Sequence, residues 1–484
     1  DPASLPRNWV WPIYQGSSGN LLIGTVNSGL CRFDPQSGTF TTYQHDPNDP
    51  TSISDNFIFS IYEDQSGLIW IGTNLGGISY FNPSTEAFEH YKHASDNPNS
   101  LSEDIVLSML VDSRGNYWIG TRNKGLNKLD YEKKRFTHYT HNPSKSNSLN
   151  SNSIQSLLED RSGTIWIGSY SSGLTSYDPI SNRFTHYVSD PSTPGTLTDN
   201  RIYSLVEDRS GIIWIGTYGG GLNRLDRNTG KISHFQHDEN DSTSLSLNAT
   251  WSLAIDRSDQ LWIGTFGGGV NLFDRKTQTF RHFKNIPGDT SSIIDNSIIR
   301  VFEDSRGNMW FGTTKGLSIY LPDKDSFKNY DEEDGLANSF VYGIVEDHNG
   351  NLWLSTNNGL SRFNPKTESF KNYYERDGLQ GNEFNQNAFA RDPIRGNLLF
   401  GGLNGFNVFH PDSLKANTYP PPVSFTAYKR YNTDDEEGKP IIETGISARD
   451  SIFLTYKDNI ITLEFSALSF FNNFENHYKY MLEG

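Results

Sequence analysis

Short runs of apolar residues, each bounded by glycine, asparagine, aspartate or proline, recur along almost the whole chain. One stretch shows the pattern, with runs over Ile202 to Asp208, Ile212 to Thr217, Leu222 to Asp226 and Ile232 to Gln236. The runs are five to seven residues long and rich in β-branched and aromatic side chains, whereas helices would show apolar residues at a spacing of about 3.6. Each stretch therefore predicts four short β-strands.

Tryptophan marks a regular repeat. Trp70, Trp118, Trp166, Trp214, Trp262 and Trp310 follow one another at 48 residues, and Trp353 comes 43 residues later. The equivalent positions Leu22 and Leu399 extend the count to nine copies over about residues 8 to 415. A fixed period of this length is typical of repeat architectures.

Each copy also contains a tight turn between its first two strands. Asp208-Arg209-Ser210-Gly211 is one example, and Asp64, Asp112 and Asp160 open equivalent turns. A four-stranded meander exposes two apolar faces, so neighbouring copies must stack radially to bury them. The pattern predicts an all-β fold, a β-propeller of four-stranded blades. The loop after each Ile-Gly-Thr should share one face with the long linkers between blades.

Composition and charge exclude several functions. A net charge of -16 argues against nucleic-acid binding, which requires Lys and Arg to neutralise phosphates. Cys31 is the single cysteine, so neither an internal disulfide nor a Cys-ligated zinc site can form. The acidic turns supply too few carboxylates for a calcium cage, and no stretch has the roughly 18 apolar residues of a membrane helix. We expect no cofactor.

No catalytic sequence motif is present, although a carboxylate pair assembled across blades stays open as an alternative. Histidines recur at 48 residues, at His138, His186, His234 and His282. Each falls on the predicted outermost strand of its blade, so the four side chains should point outward and cannot converge on a metal ion. They are predicted to be structural, and no metal site is expected.

The loop after Ile-Gly-Thr differs from copy to copy and therefore supplies the candidate binding residues. Arg122 and Lys124, Tyr170, Tyr218, Phe266 and Lys315 occupy this loop in five successive copies. Aromatic rings beside basic groups suit stacking on a sugar ring and pairing with an acidic substituent. The alternative is that Tyr170, Tyr218 and Phe266 pack against adjacent blades.

Arg300 is a further candidate because it interrupts a row of serines on the predicted innermost strands. The same slot holds Ser60, Ser108, Ser156, Ser204 and Ser252 in other copies. A buried cation is costly unless it is paired. Arg300 should therefore meet either an acidic neighbour in the channel or an anionic ligand. Trp251, on the preceding blade, is predicted to be a core residue.

These repeats resemble the two-component regulator propeller repeats. The resemblance rests on an Asn-x-Ile strand, an Asp-x-x-Gly turn and Trp-Ile-Gly-Thr followed by Gly-Leu, which copy five matches in full from Asn200 to Leu222. The last copy departs from the pattern at Phe400-Gly401-Gly402 and looks like a closing blade. The resemblance implies tandem seven-bladed propellers, here two blades over residues 1–101 and a complete propeller over 102–415.

After Pro420-Pro421-Pro422 the pattern changes. Strands are predicted over Val423 to Tyr431, Ser451 to Tyr456 and Ile460 to Phe465. Residues 416–484 resemble the start of the family's Y-Y-Y domain, an immunoglobulin-like β-sandwich whose strands exceed the residues present. Asp1 to Leu5 resembles the linkers between copies, so we expect further sequence upstream.

The resemblance also implies a function. The architecture is that of the extracytoplasmic part of hybrid two-component sensors, which often detect oligosaccharides. The expected receptor is periplasmic and anchored in the inner membrane by segments outside this chain, and it forms a homodimer that signals to a histidine kinase. We expect this region to have no enzymatic activity and its ligand to be an oligosaccharide, with an acidic one suited to the basic loops. The alternatives are a polysaccharide-cleaving propeller enzyme and a passive protein-binding scaffold.

Overall fold

The structure is a computed structural model that describes residues 4–6, 9–17, 19–35, 38–47, 52–414, 420–432, 441–446, 451–467 and 478–481. Residues 1–3 of the predicted opening linker, Asp1 to Leu5, lie outside these ranges, as do parts of the predicted terminal domain. The chain divides into two compact units. One contains Asp1–Ser84 and Lys415–Gly484, and the other contains Thr85–Leu414.

The first two copies form separate antiparallel sheets. The first sheet contains β1 (Val10–Gln15), β2 (Leu21–Thr25), β3 (Leu30–Asp34) and β4 (Thr39–Tyr43). The second contains β5 (Ile58–Glu63), β6 (Ile69–Thr73) and β7 (Ile78–Phe81). A short 3₁₀ helix over Pro83–Ala87 follows.

Seven four-stranded blades make up the unit Thr85–Leu414. Blade 1 has β9 (Val106–Val111), β10 (Asn116–Thr121), β11 (Leu126–Asp130) and β12 (Arg135–Tyr139); blade 2 has β13 (Ile154–Glu159), β14 (Ile165–Ser169), β15 (Leu174–Asp178) and β16 (Arg183–Tyr187). Blade 3 has β17 (Ile202–Glu207), β18 (Ile212–Thr217), β19 (Leu222–Asp226) and β20 (Lys231–Phe235); blade 4 has β21 (Thr250–Ile255), β22 (Leu261–Thr265), β23 (Gly269–Asp274) and β24 (Thr279–Phe283).

Blade 5 has β25 (Ile298–Glu303), β26 (Met309–Thr313), β27 (Leu317–Leu321) and β28 (Ser326–Tyr330); blade 6 has β29 (Val341–Glu346), β30 (Leu352–Thr356), β31 (Gly359–Asn364) and β32 (Ser369–Tyr373). Blade 7 has β33 (Phe384–Arg391), β34 (Leu398–Gly402) and β35 (Phe406–Phe409), with β8 (Glu89–Tyr91) as its fourth strand. Short 3₁₀ helices lie at Glu375–Asp377 and Pro411–Ser413.

The ring closes at blade 7 by combining strands from the two ends of the unit. β35 pairs with β8, so that Phe406 lies opposite Tyr91 and Val408 opposite Glu89. The innermost strands contact one another in series, and β33 returns to β9. By sequence, β8 occupies the fourth-strand position of the second copy. The second sheet is therefore left with three strands in the structure.

Residues between adjacent blades form the core. Trp214 of blade 3 is 1% exposed and packs edge-on against Phe273 of blade 4, with 5.4 Å between the ring centroids. Leu222, Leu253 and Ile263 complete this layer. The recurring tryptophan therefore fills the space between stacked sheets, as its period predicted.

The terminal segment forms a three-stranded sheet in the order β37, β36, β38. The strands are β36 (Val423–Asn432), β37 (Ile441–Thr444) and β38 (Asp458–Ala467). The predicted strand at Ser451 to Tyr456 is wrong, because Asp458 accepts hydrogen bonds from the Thr455 N–H and hydroxyl and fixes a turn there. Ile441–Thr444, which the sequence analysis did not predict as a strand, pairs with β36 instead.

Candidate functional site

Two faces of the propeller can be defined from the strand directions. The first strand of each blade begins at the linkers and ends at the Asp-x-x-Gly turn, and the second strand returns to the linkers. We call the linker end the upper face and the turn end the lower face. Tyr218 N donates to Arg201 O at 3.0 Å, and Phe266 N donates to Ala249 O at 2.9 Å. These bonds tie each variable loop to the entry of its own innermost strand, on the upper face.

The structure places six of the seven predicted site residues on this upper face. Around the ring they appear as Arg122 and Lys124 in blade 1, Tyr170 in blade 2, Tyr218 in blade 3, Phe266 in blade 4 and Lys315 in blade 5. All six side chains are exposed. The result is an arc of aromatic residues on three consecutive blades, with cations on the blade at either side.

Aromatic packing holds the middle of this arc. Phe266 stacks on Trp251 with 4.1 Å between centroids, and Trp251 stacks on Tyr203 at 5.2 Å. Tyr203 then contacts Tyr218 at 5.5 Å. Trp251 and Tyr203 come from the innermost strands of adjacent blades. We call Tyr203, Tyr218, Trp251 and Phe266 the aromatic cluster.

The cluster combines packing with exposure. Tyr218 is 41% exposed, Phe266 is 38% exposed, and Tyr170, which has no ring contact to another described residue, is 50% exposed. Tyr203 is buried beneath them, and its burial together with Tyr170 and Tyr218 raises its pKa to about 12. The phenol of Tyr203 therefore stays protonated at neutral pH. Trp251, predicted as core, is only partly buried and is the ring on which Phe266 rests.

A further cation, which the sequence analysis did not single out, lies in the cluster. The guanidinium of Arg201 is 4.5 Å from the ring centroid of Tyr218. Its Nε and Nη2 donate to the carboxylate of Asp199, at 3.0 and 2.6 Å. Asp199 thus fixes Arg201 across one side of the Tyr218 ring. The sequence could have indicated this cation, because Arg201 is the middle residue of the Asn-x-Ile motif beside the variable loop of the same copy.

Carboxylates of the upper face are largely engaged by protein groups. Glu103 accepts from Asn123 N at 2.6 Å, Asp199 binds Arg201, and Asp295 accepts from the Thr314 hydroxyl. Among the described residues, by contrast, no ion pair or side-chain hydrogen bond holds Arg122, Lys124 or Lys315. The free charge of the loops is positive even though the whole chain is acidic.

Arg300, the seventh predicted residue, lies apart from the arc. It belongs to β25 and borders the central channel below the level of Trp251 and Ile299. Between Arg300 and the upper face, three side-chain amides of β33 extend across the channel. Asn387 Nδ2 donates to Gln155 O and Tyr203 O at 2.9 and 2.8 Å.

The side-chain amides of Asn385 and Gln386 also extend across the channel. Asn385 Nδ2 donates to Val106 O at 2.7 Å, and Gln386 Nε2 lies 3.3 and 3.4 Å from Trp251 O and Ile299 O. We call Asn385, Gln386 and Asn387 the amide plug. It joins blade 7 to the innermost strands of blades 1 to 5. Sequence analysis missed it, although the polar run in the departing last copy was a signal.

The lower face is held together by the acidic turns. In blade 3, Asp208 Oδ2 accepts from the Trp214 indole at 2.9 Å, and Asp208 Oδ1 accepts from the main-chain N–H groups of Ser210 and Ile212. Glutamates at the ends of innermost strands bind the turn of the preceding blade, as when Glu207 accepts from Arg161 N at 2.8 Å. These carboxylates have structural partners.

Two of the four periodic histidines bind main-chain groups. His138 Nε2 is 2.9 Å from Ser100 O, and His282 Nε2 is 2.8 Å from Ser244 O. Both belong to outermost strands, β12 and β24. They anchor linkers to the blade edge.

One group in the described part of the chain has metal-ligand distances, at the lower face near Pro411–Ser413. Asp412 Oδ2 lies 3.1 Å from His348 Nε2 and 3.8 Å from His410 Nδ1. However, His410 Nδ1 accepts from Asp412 N at 3.2 Å, and the Asn349 amide contacts His348 Nε2 at 3.1 Å. Both nitrogen atoms thus have protein partners already, and the group is not organised for a metal ion.

The fold and the repeated blade define a β-propeller protein. Residues 52–75, 100–123, 148–171, 196–219, 292–315 and 335–358 match the family model of the two component regulator propeller. Six of the nine repeats match this model, and the predicted resemblance to the two-component regulator propeller repeats is confirmed. No curated protein matches the chain.

Solved structures extend this result. The chain is similar to the extracellular domain of a hybrid two-component system from B. thetaiotaomicron, at 28% identity and a TM-score of 0.74, over 95% of this chain and 59% of that one. A second such domain from the same organism matches at 24% identity and a TM-score of 0.57, over 95% of this chain and 60% of that one. The chain thus spans about three-fifths of the length of these domains.

A more distant structure shares the fold alone. Virginiamycin B lyase from Staphylococcus aureus is 15% identical, with a TM-score of 0.50, over 66% of this chain and 98% of that one.

The chain is homologous to the extracellular domain of a two-component system. Within the described residues, no helix has the length and apolar character that a membrane span requires.

Proposed function

We propose that this chain is the ligand-sensing region of a two-component receptor and that its upper face binds an acidic oligosaccharide. The observation that carries the proposal is the arc of Tyr170, Tyr218 and Phe266, with cations at both ends that have no ion-pair partner in the part of the chain that the structure describes. Flat aromatic faces suit the apolar faces of sugar rings, and Arg122 and Lys315 suit carboxylate or sulfate substituents. The similarity to an extracellular domain of a hybrid two-component system supports the sensing role.

The length of the arc favours an extended ligand. Its members lie on five successive blades, so a single monosaccharide would contact only part of them. Arg201 and Asp199 keep the Tyr218 ring in place, and stacking on Trp251 does the same for Phe266. Such pre-ordered rings lose little conformational entropy when a ligand stacks on them.

The receptor context belongs to the same proposal. We place the chain in the periplasm, as part of an inner-membrane homodimer whose segments outside this chain cross the membrane and lead to a histidine kinase. Binding at the upper face would then be the input to the kinase. Neither step requires catalysis by the propeller.

Calorimetry with a panel of oligosaccharides tests the proposal. The panel pairs uronate-containing or sulfated oligosaccharides with neutral ones of equal length, and each mixture is then analysed by chromatography for cleavage. We expect saturable binding of an acidic oligosaccharide without cleavage. Cleavage would favour the enzyme alternative, and the absence of binding by any member would favour the scaffold.

Variants localise the site. Tyr218→Ala and Arg122→Ala should each weaken binding by about tenfold or more, which corresponds to about 1.4 kcal/mol. Lys276→Ala removes an exposed cation from a turn of the lower face and should leave affinity unchanged. Unchanged affinity in both upper-face variants would place the site elsewhere.

A further inference from the structure

The serine slot on the innermost strands has a structural purpose that Arg300 cannot serve. Ser108 Oγ donates to Ile154 O at 3.0 Å, and Ser252 Oγ accepts from Val301 N at 2.9 Å. In both cases the serine links its strand to the innermost strand of the next blade. A guanidinium is too large for this link, so Arg300 does not make this contact between blades. The presence of arginine at this position therefore needs another explanation.

The guanidinium of Arg300 has no polar partner among the described residues. Its Nε is buried without a hydrogen bond, and desolvation is the cause that lowers its pKa to about 10. It therefore remains charged at neutral pH. Its one notable neighbour is the Phe389 ring, 4.8 Å from Cζ to the ring centroid. Arg300 is partly buried, and holding its charge beside an aromatic ring without a paired anion is unfavourable for the unliganded fold.

Three carboxylates line the two channel cavities, those of Glu303, Asp304 and Glu346, and each has protein partners. Asp304 Oδ2 accepts from the Trp310 indole at 2.9 Å. Glu303 forms an ion pair with Arg257 at 2.8 Å, and Glu346 accepts from Ser305 N and Oγ, both at 2.7 Å. Each of these two glutamates therefore links neighbouring blades at the lower face. None of the three carboxylates forms an ion pair with Arg300 in the described part of the chain.

The surrounding space is large enough for a ligand. Arg300 borders a cavity of about 390 Å³ under the amide plug and a second of about 460 Å³ toward the lower face. Volumes of this order are typical of small-molecule sites. Arg391, exposed at the end of β33, lines the second cavity and adds a positive charge there.

Ser204 belongs to the wall of the same cavity, but its hydroxyl is not exposed there. Ser204 is 8% exposed, and its Oγ is buried without a hydrogen bond. Such groups are rare in folded proteins because each one costs free energy. Arg300 thus presents its cation to this cavity, whereas the Ser204 hydroxyl lies against Gly216.

We propose that this channel cavity, entered from the lower face, binds a small molecule bearing an oxyanion, with Arg300 as its charge partner. The oxyanion can be a carboxylate, a sulfate or a phosphate, since all three accept paired hydrogen bonds from a guanidinium. The amide plug separates this site from the upper face. The proposal therefore stands independently of oligosaccharide binding there.

Calorimetry with acetate, sulfate and phosphate, each against chloride at equal ionic strength, tests the proposal and identifies the favoured anion. We expect saturable binding of at least one oxyanion to the unaltered chain. Arg300→Ser restores the serine of the other copies and should weaken that binding at least about tenfold, because hydrogen bonds to a charged group are lost. Arg306→Ser removes an exposed arginine from a turn of the lower face and should leave binding unchanged.

Two further measurements keep the outcome decisive. Arg300→Ser should raise the thermal unfolding midpoint in chloride, because a partly buried cation without an anionic partner is removed, and a cooperative transition shows that the variant folds. Selenate soaked into crystals should give an anomalous peak beside Arg300. Equal oxyanion affinity in Arg300→Ser, or no preference for any oxyanion over chloride, would overturn the proposal. Tyr218→Ala should leave oxyanion binding intact, whether or not the upper face binds sugar.

Discussion

The indole N–H of Trp214 donates to Oδ2 of Asp208 across 2.9 Å, and the two residues are six positions apart. The same pair occurs in every copy that contains the tryptophan, from Trp70 with Asp64 to Trp353 with Asp347. One carboxylate thereby fixes both the turn at the lower face and the largest side chain of the core. The two most regular features of the sequence are parts of one structural motif.

Removing this tryptophan should be costly. Trp214→Ala should lower the free energy of unfolding by about 3 to 5 kcal/mol, because a fully buried ring is lost between two blades. Trp214→Phe keeps most of the packing and should cost less. Equilibrium denaturation followed by circular dichroism measures both, and a Trp214→Ala protein as stable as the parent would contradict the assigned core role.

Acid should destabilise the propeller through the turn aspartates. Burial raises the pKa of Asp208, but hydrogen bonds from Arg275, the Trp214 indole and the Ile212 N–H outweigh it, so the net pKa lies below its ordinary value. A carboxyl group with a lowered pKa stabilises the fold above its unfolded pKa of about 3.9, and that contribution is lost as the pH falls through the folded pKa.

Unfolding measured between pH 7 and pH 2 should therefore show a steep loss of stability below about pH 4. Arg275→Gln removes the ion pair at 2.6 Å, so the folded pKa of Asp208 should rise toward its unfolded value and the acid-dependent loss of stability should be smaller. Lys276→Ala, next to it in the sequence but outside the pair, is the matched control. Identical acid profiles for all three proteins would show that Asp208 does not contribute.

Gly343 should be intolerant of any side chain. A Cβ at this position would lie 2.3 Å from Phe389 Cδ1, so alanine would displace the ring beside Arg300. We expect Gly343→Ala to cost about 1 to 3 kcal/mol, as overpacking typically does. Gly381→Ala is the control, since no atom lies within 4 Å of its Cβ. Thermal denaturation compares the two, and equal midpoints would contradict the packing.

Salt should separate the two kinds of contact proposed at the upper face. Arg122 contributes charge, so Arg122→Ala should bind the acidic oligosaccharide more weakly and lose affinity less steeply as salt increases. Tyr218→Ala should weaken binding and keep the salt dependence of the parent. Calorimetry at several salt concentrations checks both, and identical slopes for Arg122→Ala and the parent would exclude a charge contact there.

Repetition explains why the fold was predictable. A 48-residue period, strand-length apolar runs and turns with fixed Asp and Gly positions all indicate the same blade, and the structure repeats it. The shared position of Tyr170, Tyr218 and Phe266 in the repeat also predicted that their loops lie on one face. Periodic residues are informative because each copy confirms the others.

Features that break the period were harder to predict. The amide plug depends on Asn387 reaching carbonyl groups of residues 155 and 203, and no local pattern relates these distant positions. Arg300 stood out as an exception, but its contact with Phe389 depends on the absence of a side chain at Gly343. The terminal sheet has no repeat to guide strand assignment, and there a local turn at Asp458 overrode the apolar pattern.

The pairing of β8 with β35 also has a mechanical consequence. Glu89 begins β8 and lies opposite Val408, close to the end of β35, so the chain enters and leaves the propeller at the same end of this strand pair. Tension applied to the chain before β8 and after β35 would load the hydrogen bonds between these strands one after another and not all at once. With three residue pairs in the register, this seam is the place where a pulled propeller opens first.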